Sequence, residues 1–183
     1  MTKALISIDY TVDFVADDGK LTAGKPAQAI ADRIAQVTQE AFDRGDYIVF
    51  AIDGHEVDDD LHPESNLFPL HNIMGTSGRD LYGPLADFYA EYQNHARVRW
   101  MDKRHYSAFS GTDLDVRLRE RSIDTVVLTG VLSDICVLHT AIDAYNKGYK
   151  IEVISSAIAA LTEENHQFAL NHLQHVLGAT IID

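Results

Sequence analysis

The sequence predicts an α/β fold, in which a six-stranded, mostly parallel sheet is doubly wound, with helices on both faces. Short apolar runs alternate with segments of helical periodicity along the whole chain, and this alternation places crossover helices between parallel strands. The 183 residues, 46% of them hydrophobic, suit one domain that buries a substantial core. The predicted strands are Ala4–Asp9, Tyr47–Asp53, Arg97–Asp102, Thr125–Val131, Lys150–Ser155 and Ala179–Ile182.

Two helices are predicted in the first two thirds of the chain. Apolar residues at helical spacing mark an amphipathic helix that Gly45 ends. A shorter helix follows Gly111-Thr112. The apolar residues of the first helix are Ile30, Ile34, Val37 and Ala41.

Two further helices follow the fourth and fifth strands. One runs over about 134–147, with Gly148 as its C-terminal stop. The other begins after Thr162, a suitable N-cap residue. Glu163 and Glu164 suit the positive end of that helix dipole.

Composition excludes several classes of partner. The formal net charge is −13, and the sequence has no run of Lys or Arg of the kind that nucleic-acid binding requires. We expect a small, uncharged substrate, or a site that supplies its own positive charge. No segment reaches the roughly 18 uninterrupted apolar residues of a membrane span. The N-terminal MTKALISIDY lacks a signal-peptide pattern, so we expect a cytoplasmic protein without a membrane partner.

The strand–helix alternation stops between Gly54 and about His95. This stretch is rich in His, Gly and Pro, and a loop of that length in a compact domain is usually functional. Ligands of open α/β sheets bind beyond the carboxyl ends of the strands. Those ends carry Asp9, Asp53, Lys103 (just past its strand) and the turn that leads to Cys136. We therefore expect four reactive residues to meet at one edge of the sheet.

Cys136 is a candidate nucleophile. It falls in the first turn of a predicted helix, where free N–H groups and the helix dipole favour a thiolate and can hold an oxyanion. As the only cysteine it cannot form an internal disulfide, which argues against dithiol redox chemistry. A lone cysteine is more often a buried small hydrophobe, so packing beside Ile135 and Val137 is the alternative.

A thiol nucleophile needs a proton acceptor and a charge that poises it. Asp9 ends the first strand, and a buried pair with Lys103 would keep both groups charged and could lower the pKa of the thiol. Alternatively, Asp9 is a cap or turn residue and Lys103 a surface charge. His105 and His139 are alternative bases. His139 lies three residues past Cys136 on the interior of the predicted helix, where packing against the core is the more common role.

Asp53 and His55 lie two residues apart, and Glu64 and His71 follow in the long loop. Carboxylate and imidazole ligands suit Zn, Mn or Fe(II). By spacing alone this indication is weak, because the chain has nine His and acidic loops usually face water.

The chain resembles bacterial nicotinamidases (pyrazinamidases) of the isochorismatase-like cysteine hydrolase superfamily from Ala4 to about Ile182. The matching stretches are ISIDYTVDF, AIDGHE, LFPLHNIMGTSGRDL, MDKRHYSAFSGTDL and LTGVLSDICVLHTA. The resemblance implies an Asp–Lys–Cys triad at Asp9, Lys103 and Cys136, on an isochorismatase-like, Rossmann-like fold. It also implies a cis peptide at Val131–Leu132, which aims the Leu132 N–H into an oxyanion hole shared with Cys136.

The resemblance also implies a divalent metal, most often zinc, that binds the pyridine nitrogen of the substrate. Its ligands would be Asp53, His55 and His71, with Glu64 as the fourth and His62 as a competitor for that position. We also predict an aromatic-lined pocket for a planar ring. Its lining residues would be Phe14, Leu21, Phe68, Trp100 and Tyr106. For each of these residues, ordinary core packing is the alternative.

Small departures from the family pattern bear on substrate details. Thr11 stands where Gln is frequent, Asn72 where a Cys often follows the metal-binding His, and Leu132-Ser133 where Ala-Thr is commoner. The resulting prediction is hydrolysis of nicotinamide or pyrazinamide through a Cys136 thioester, in NAD salvage. The alternatives are another amide or carbamoyl hydrolase of the superfamily, or an inactive small-molecule or metal-binding homologue. The sequence leaves open whether the chain forms a homo-oligomer.

Overall fold

A computed structural model describes residues 2–183. Within that range, six strands form one sheet in the order β3-β2-β1-β4-β5-β6, and every adjacent pair is parallel. The predicted α/β class is therefore confirmed. The strands are β1 Ala4–Ile8, β2 Tyr47–Asp53, β3 Val98–Lys103, β4 Thr125–Val131, β5 Lys150–Ala159 and β6 Thr180–Ile182.

Helices connect the strands and cover both faces of the sheet. The four predicted helices are all present, and three further helices join them. No helix within residues 2–183 is both long and apolar enough to cross a membrane. The helices are α1 Val12–Val15, α2 Lys25–Gln28, α3 Ala31–Asp43, α4 Pro84–Tyr92, α5 Leu114–Glu120, α6 Leu138–Asn146 and α7 Glu163–His175.

The central strands are buried on both faces. Every residue of β1, β2 and β4 is buried, which explains why these strands appear in the sequence as continuous apolar runs. Leu5 points into the core beneath α3 and α4, whereas Ile6 and Ile8 point into the core beneath α5 and α6. The sheet is thus a rigid platform whose carboxyl edge can hold side chains in place.

The chain order reverses between β1 and β4. The first three strands extend the sheet in one direction, and β4 then returns to the other side of β1. Gly130 is the point of closest approach, because a Cβ there would lie 2.0 Å from the carbonyl oxygen of Ile8. Ligands of doubly wound sheets bind at such a reversal, so the ends of β1 and β4 are the expected position of a site.

Four of the six strands differ from the sequence prediction at a boundary. β1 ends at Ile8 rather than Asp9, β3 begins at Val98 rather than Arg97, and β6 begins at Thr180 rather than Ala179. Lys103 is the last residue of β3 rather than the residue after it. β5 continues from Ser155 to Ala159, because the buried residues Ile158 and Ala159 pair with Gly130 and Val131 of β4 after a register shift between Leu128 and Gly130. A bulge of this kind leaves no periodic signal in the sequence.

The stretch from Gly54 to His95 is less irregular than predicted. It contains α4, which buries Leu85 and Phe88, and two short 3₁₀ turns at Pro63–Asn66 and Ser77–Arg79. A helix of nine residues buries too few side chains to produce a clear pattern.

The predicted helix over 134–147 begins with a π-helical turn, Ser133–Val137, before α6. The predicted ends of two helices are confirmed. Gly148 has a positive φ of 79°, and the Thr162 hydroxyl accepts a hydrogen bond from the Asn165 N–H at 3.2 Å.

Candidate active site

Asp9 follows β1 with a left-handed φ of 53°, which turns its side chain toward the neighbouring strand β2. Its N–H donates to the carbonyl oxygen of Ala51 at 3.1 Å, and its Oδ1 accepts from the Asp53 N–H at 2.8 Å. The side chain is fully buried. Asp9 is thus held by the ends of two strands and is not a surface cap.

Lys103 lies between the candidate base and the candidate nucleophile. Its Nζ is 2.7 Å from Asp9 Oδ2, 2.5 Å from Asp53 Oδ1 and 4.0 Å from Cys136 Sγ. It also donates to the His105 carbonyl oxygen at 3.1 Å. Burial opposes the charge of this lysine, but the two carboxylates outweigh burial and raise its pKa well above the usual value. Lys103 is therefore a buried ammonium and not a surface charge.

Cys136 is buried in the π-helical turn that follows β4, and it lines a cavity. Its carbonyl oxygen accepts from the Thr140 hydroxyl at 2.7 Å, and that hydroxyl accepts from the Ala108 N–H at 3.0 Å. This bridge ties the nucleophile turn to the loop after β3. Cys136 therefore borders both Lys103 and open space, unlike its neighbour Val137, which packs in the core.

The charges of the site favour a protonated thiol. Burial, together with Asp9 and Asp53, raises the pKa of Cys136 well above that of a free thiol, despite the opposing effect of Lys103. Burial and Asp53 also raise the pKa of Asp9, to about 6, against Lys103. Lys103 lowers the pKa of the thiol, as expected, but burial has the larger and opposite effect. At neutral pH the pair is a carboxylate beside a thiol.

The two alternative bases, His105 and His139, lie in different surroundings. His139 Nδ1 bonds to the Ile135 carbonyl oxygen at 2.7 Å, and the ring packs against Tyr106. The His105 side chain is exposed, and it is the backbone of that residue that contacts Lys103. The ion pair with Lys103 places the Asp9 carboxylate beside the thiol.

Four side chains form a second cluster beside this group. One ligand atom from each of the four lies within 4.8 Å of the others, and all four residues are buried. Two contacts show how tight the cluster is: His55 Nε2 is 3.5 Å from Asp53 Oδ2, and His71 Nε2 is 3.7 Å from Glu64 Oε2. The four residues are Asp53, His55, Glu64 and His71.

The chemistry of this cluster fits a divalent metal. Within residues 2–183, the buried Nε2 atoms of His55 and His71 have no hydrogen-bond partner, which is costly unless a ligand engages them. The His71 Nδ1 bonds to the Pro69 carbonyl oxygen at 2.8 Å, so Nδ1 carries the proton and Nε2 presents its lone pair. Two imidazoles and two carboxylates match the donors that zinc prefers.

The ionisation of the cluster residues is linked through Asp53. Although burial opposes it, the hydrogen bond and charge of Asp53 raise the pKa of His55. Burial, opposed by Lys103 and His55, leaves Asp53 with a pKa lowered to about 2. Burial and the neighbouring charge of Asp53 raise the pKa of Glu64 to about 7. Burial lowers the pKa of His71, which keeps that imidazole neutral. A metal dication would offset the crowding of the two carboxylates and displace the proton from Glu64.

His62 does not occupy the fourth position. Its Nε2 is 2.5 Å from the carbonyl oxygen of Arg104, and its Nδ1 accepts from the Glu64 N–H at 3.3 Å. Both ring nitrogens are therefore engaged by the backbone. The position that the sequence left open between Glu64 and His62 is filled by Glu64.

A cavity of about 140 Å³ opens beside Cys136. Asp53 and Glu64 of the cluster also border it, and so do Val131 and Leu132, whose peptide bond is cis, as expected from the resemblance. Four predicted pocket residues line its walls: Phe14, Leu21, Phe68 and Tyr106.

Trp100 was also predicted to line this pocket, and that prediction is wrong. Side chains alternate along a strand, so Trp100 points to the face of β3 opposite Met101 and Lys103. Its indole N–H donates to Asp102 Oδ1 at 2.8 Å, and its ring packs 5.3 Å from that of Tyr89. Trp100 therefore belongs to the packing beneath α4.

Two buried residues of the site were missed in the sequence. Arg79 Nε donates to the Asp53 carbonyl oxygen at 2.7 Å, and its Nη2 contacts Asp102 Oδ1 at 2.5 Å. Asp13 Oδ2 accepts from the Asn72 N–H at 2.7 Å, beside the cluster residue His71. The matching stretches ISIDYTVDF and LFPLHNIMGTSGRDL contain both residues, but neither shows by periodicity or spacing that it is buried.

Comparisons with known proteins agree with this geometry. The isochorismatase domain family matches residues 3–183. The uncharacterized isochorismatase family protein PncA of Bacillus subtilis is 51% identical over 100% of both chains. A crystal structure of a pyrazinamidase/nicotinamidase from Streptococcus mutans is 78% identical, with a TM-score of 0.98 over 99% of this chain and 100% of that one. A structure of the Bacillus subtilis nicotinamidase/pyrazinamidase PncA is 51% identical, with a TM-score of 0.98 over 100% of both chains.

The family match covers nearly the whole chain, including both residue groups at the carboxyl edge of the sheet. The sequence resemblance to this superfamily is therefore confirmed. The chain belongs to the isochorismatase domain family.

Proposed function

We propose that this chain hydrolyses nicotinamide, and pyrazinamide, to the corresponding acid and ammonia through a thioester on Cys136. One observation carries the proposal: Cys136 and two members of the four-residue cluster, Asp53 and Glu64, border the same cavity. Lys103, which contacts Cys136, is also 2.5 Å from Asp53. The names of the similar crystal structures from Streptococcus mutans and Bacillus subtilis support this choice of substrate. In a cell, this reaction would return nicotinamide to NAD salvage.

Acylation would begin with the neutral thiol and the ionised Asp9. Asp9 accepts the thiol proton as Sγ attacks the carboxamide carbon, and the carbonyl π electrons move to oxygen. Because the thiol is the much weaker acid here, the transfer is completed only as the S–C bond forms. Lys103 keeps its charge and stabilises the negative charge that passes between Sγ and Asp9.

The tetrahedral oxyanion would be held by the backbone N–H groups of Leu132 and Cys136. Each such donor contributes roughly 3 kcal/mol to the stabilisation of a transition state. As the oxyanion collapses, the C–N bond breaks and Asp9 returns its proton to the leaving nitrogen. Ammonia departs, and an acyl thioester remains on Cys136.

Deacylation would reverse these roles with water as the nucleophile. Asp9 accepts a proton from the water as its oxygen attacks the thioester carbon, and the same N–H groups hold the second oxyanion. The C–S bond then breaks, and Asp9 returns the proton to the sulfur. The product is the carboxylic acid, which ionises in water, and the starting thiol is restored.

Asp53, His55, Glu64 and His71 would hold one divalent ion, for which zinc is the best fit and Mn or Fe(II) are alternatives. When bound, this ion would supply a Lewis acid for the ring nitrogen of the substrate. Phe14 and Phe68 lie on the same side of the cavity as the cluster, since both pack against His71. They would orient the planar ring so that its carboxamide faces Cys136.

The rival function is hydrolysis of a different amide or carbamoyl compound, since fold and nucleophile do not determine a substrate. An inactive binding protein is the rival from another class. Ammonia release from nicotinamide by the purified, metal-loaded protein tests all three. Release that is lost in Cys136→Ala supports the proposal. Release from carbamoyl compounds alone favours the first rival, and no release from any amide favours the second.

A further inference from the structure

The four-residue cluster separates two different spaces. On one side is the cavity that contains Cys136, which Asp53 and Glu64 border. On the other side is a narrow crevice, here called the metal crevice, which His55, Glu64 and His71 border together with Glu56, Asp59 and Ser65. Glu56 and Ser65 are exposed, so the crevice reaches the protein surface.

The two spaces differ in size. The metal crevice has a volume of about 20 Å³, and the cavity about 140 Å³. A single water needs roughly 10–15 Å³. The crevice therefore accommodates a species of about the size of one water, such as an ion that has shed part of its hydration shell, but no aromatic ring.

The two spaces also differ in their chemistry. Two carboxylates, those of Glu56 and Asp59, line the crevice, and Asp59 pairs with Arg104. Negative charge of this density attracts cations and raises their association rate. Apolar side chains such as Phe14, Leu21 and Leu161 line the cavity instead, and a hydrated dication would lose hydration there without compensation. Asp58 and Asp60 flank Asp59 in the sequence and add negative charge to the same segment.

We infer that the metal ion reaches its ligands through the metal crevice, while the amide substrate reaches Cys136 through the cavity. This inference rests on the metal site of the proposed function. The buried and unpartnered Nε2 atoms of His55 and His71 support it, since both residues border the crevice and neither borders the cavity. Consequently, the cluster can be loaded while the cavity is filled.

Metal uptake can be timed in stopped flow with Co²⁺, whose absorption bands report binding directly, after a chelator has removed the resident metal. Glu56→Lys places a positive charge at the crevice mouth. We expect it to slow Co²⁺ association by about fivefold or more at low salt. We expect the difference to shrink at high salt. The dissociation rate should fall in proportion, so the equilibrium affinity stays close to that of the parent. Glu120→Lys, at the end of α5, is the control for the change in net charge.

Leu161→Trp tests the other route, because Leu161 is 53% exposed and lines the cavity. This variant should slow alkylation of Cys136 by a bulky reagent and leave Co²⁺ uptake at the parent rate. Slow uptake in Leu161→Trp, or parent-like uptake in Glu56→Lys, would overturn the separate route. A parent protein that binds no Co²⁺, or a His71→Ala variant that binds it equally well, would instead overturn the metal site itself.

Discussion

The ammonium of Lys103 lies 2.5 Å from Oδ1 of Asp53, while Oδ2 of the same carboxylate lies 3.5 Å from His55 Nε2. One carboxylate thus joins the candidate nucleophile group to the candidate metal cluster. Any change in the charge of the cluster alters how strongly Asp53 holds Lys103. The electrostatic effect of the Lys103 ammonium on Asp9 and Cys136 then changes as well.

Replacement of the nucleophile should stop the reaction without unfolding the protein. Cys136→Ala removes the sulfur that forms the thioester, and the small buried side chain leaves little empty volume. We expect no detectable ammonia release from nicotinamide and a far-UV circular dichroism spectrum like that of the parent. Intact-mass spectrometry of the parent with an aldehyde trap should detect one adduct, which Cys136→Ala lacks. Turnover by this variant would exclude the thioester.

The reactivity of Cys136 should depend on the ionisation of Asp9. In metal-free protein the pKa of Asp9 is about 6, so the carboxylate loses its capacity to accept a proton as the pH falls through that value. The rate of thiol alkylation should therefore rise as the pH increases through about 6, and rise again far higher, where the thiol itself ionises. Asp9→Asn should remove the lower step only. A lower step that persists in Asp9→Asn would assign it to another group.

Loss of Lys103 should make the thiol a still weaker acid. Lys103 is the cation that opposes burial at Cys136, and it also keeps Asp9 and Asp53 ionised. Lys103→Met keeps the length of the side chain and removes the charge. We expect kcat/KM to fall by roughly 10²-fold or more, and the high-pH alkylation step to move upward. A thiol titration identical to that of the parent would show that Lys103 does not poise the nucleophile.

Substrate choice should depend on a ring nitrogen. Nicotinamide and pyrazinamide carry a nitrogen meta to the carboxamide, whereas benzamide has the same shape without it. A site built around one polar contact can reject an analogue that lacks it by about 10⁴-fold. We expect chelation to abolish nicotinamide turnover and His71→Ala to raise KM steeply. Equal kcat/KM for benzamide and nicotinamide with metal bound would favour a broader amidase.

The bridge at Thr140 should contribute to stability as well as to position. Its hydroxyl joins the Ala108 N–H to the Cys136 carbonyl oxygen, and the residue is fully buried. Thr140→Val keeps the shape and strands both polar groups, which should cost about 1–3 kcal/mol of unfolding free energy. Thr140→Ser retains the hydroxyl and should lose less. Urea unfolding of the two variants measures the difference, and equal losses would mean that packing of the methyl group matters more than the hydrogen bonds.

The sequence by itself determined the α/β class, the bounds of β2 and β4, the C-terminal ends of α3 and α6, and the start of α7. These features depend on local patterns: buried parallel strands form continuous apolar runs, and Gly45, Gly148 and Thr162 act on their own segments. It also indicated that Asp9, Lys103 and Cys136 would meet, because the carboxyl ends of parallel strands share one edge. Their catalytic roles remain predictions.

Only the tertiary structure decided which atoms share a contact and what their charges are. Glu64 rather than His62 joins the cluster because the backbone of Arg104 engages the His62 ring. Burial, a property of the whole fold, keeps the Cys136 thiol protonated although local features favour the thiolate. The orientation of Trp100 away from the cavity and the hydrogen bond from Arg79 to Asp53 were not predicted. Both depend on how segments that are far apart in the chain pack together. Sequence spacing describes neighbours along the chain, whereas pKa values and ligand sets depend on neighbours in space.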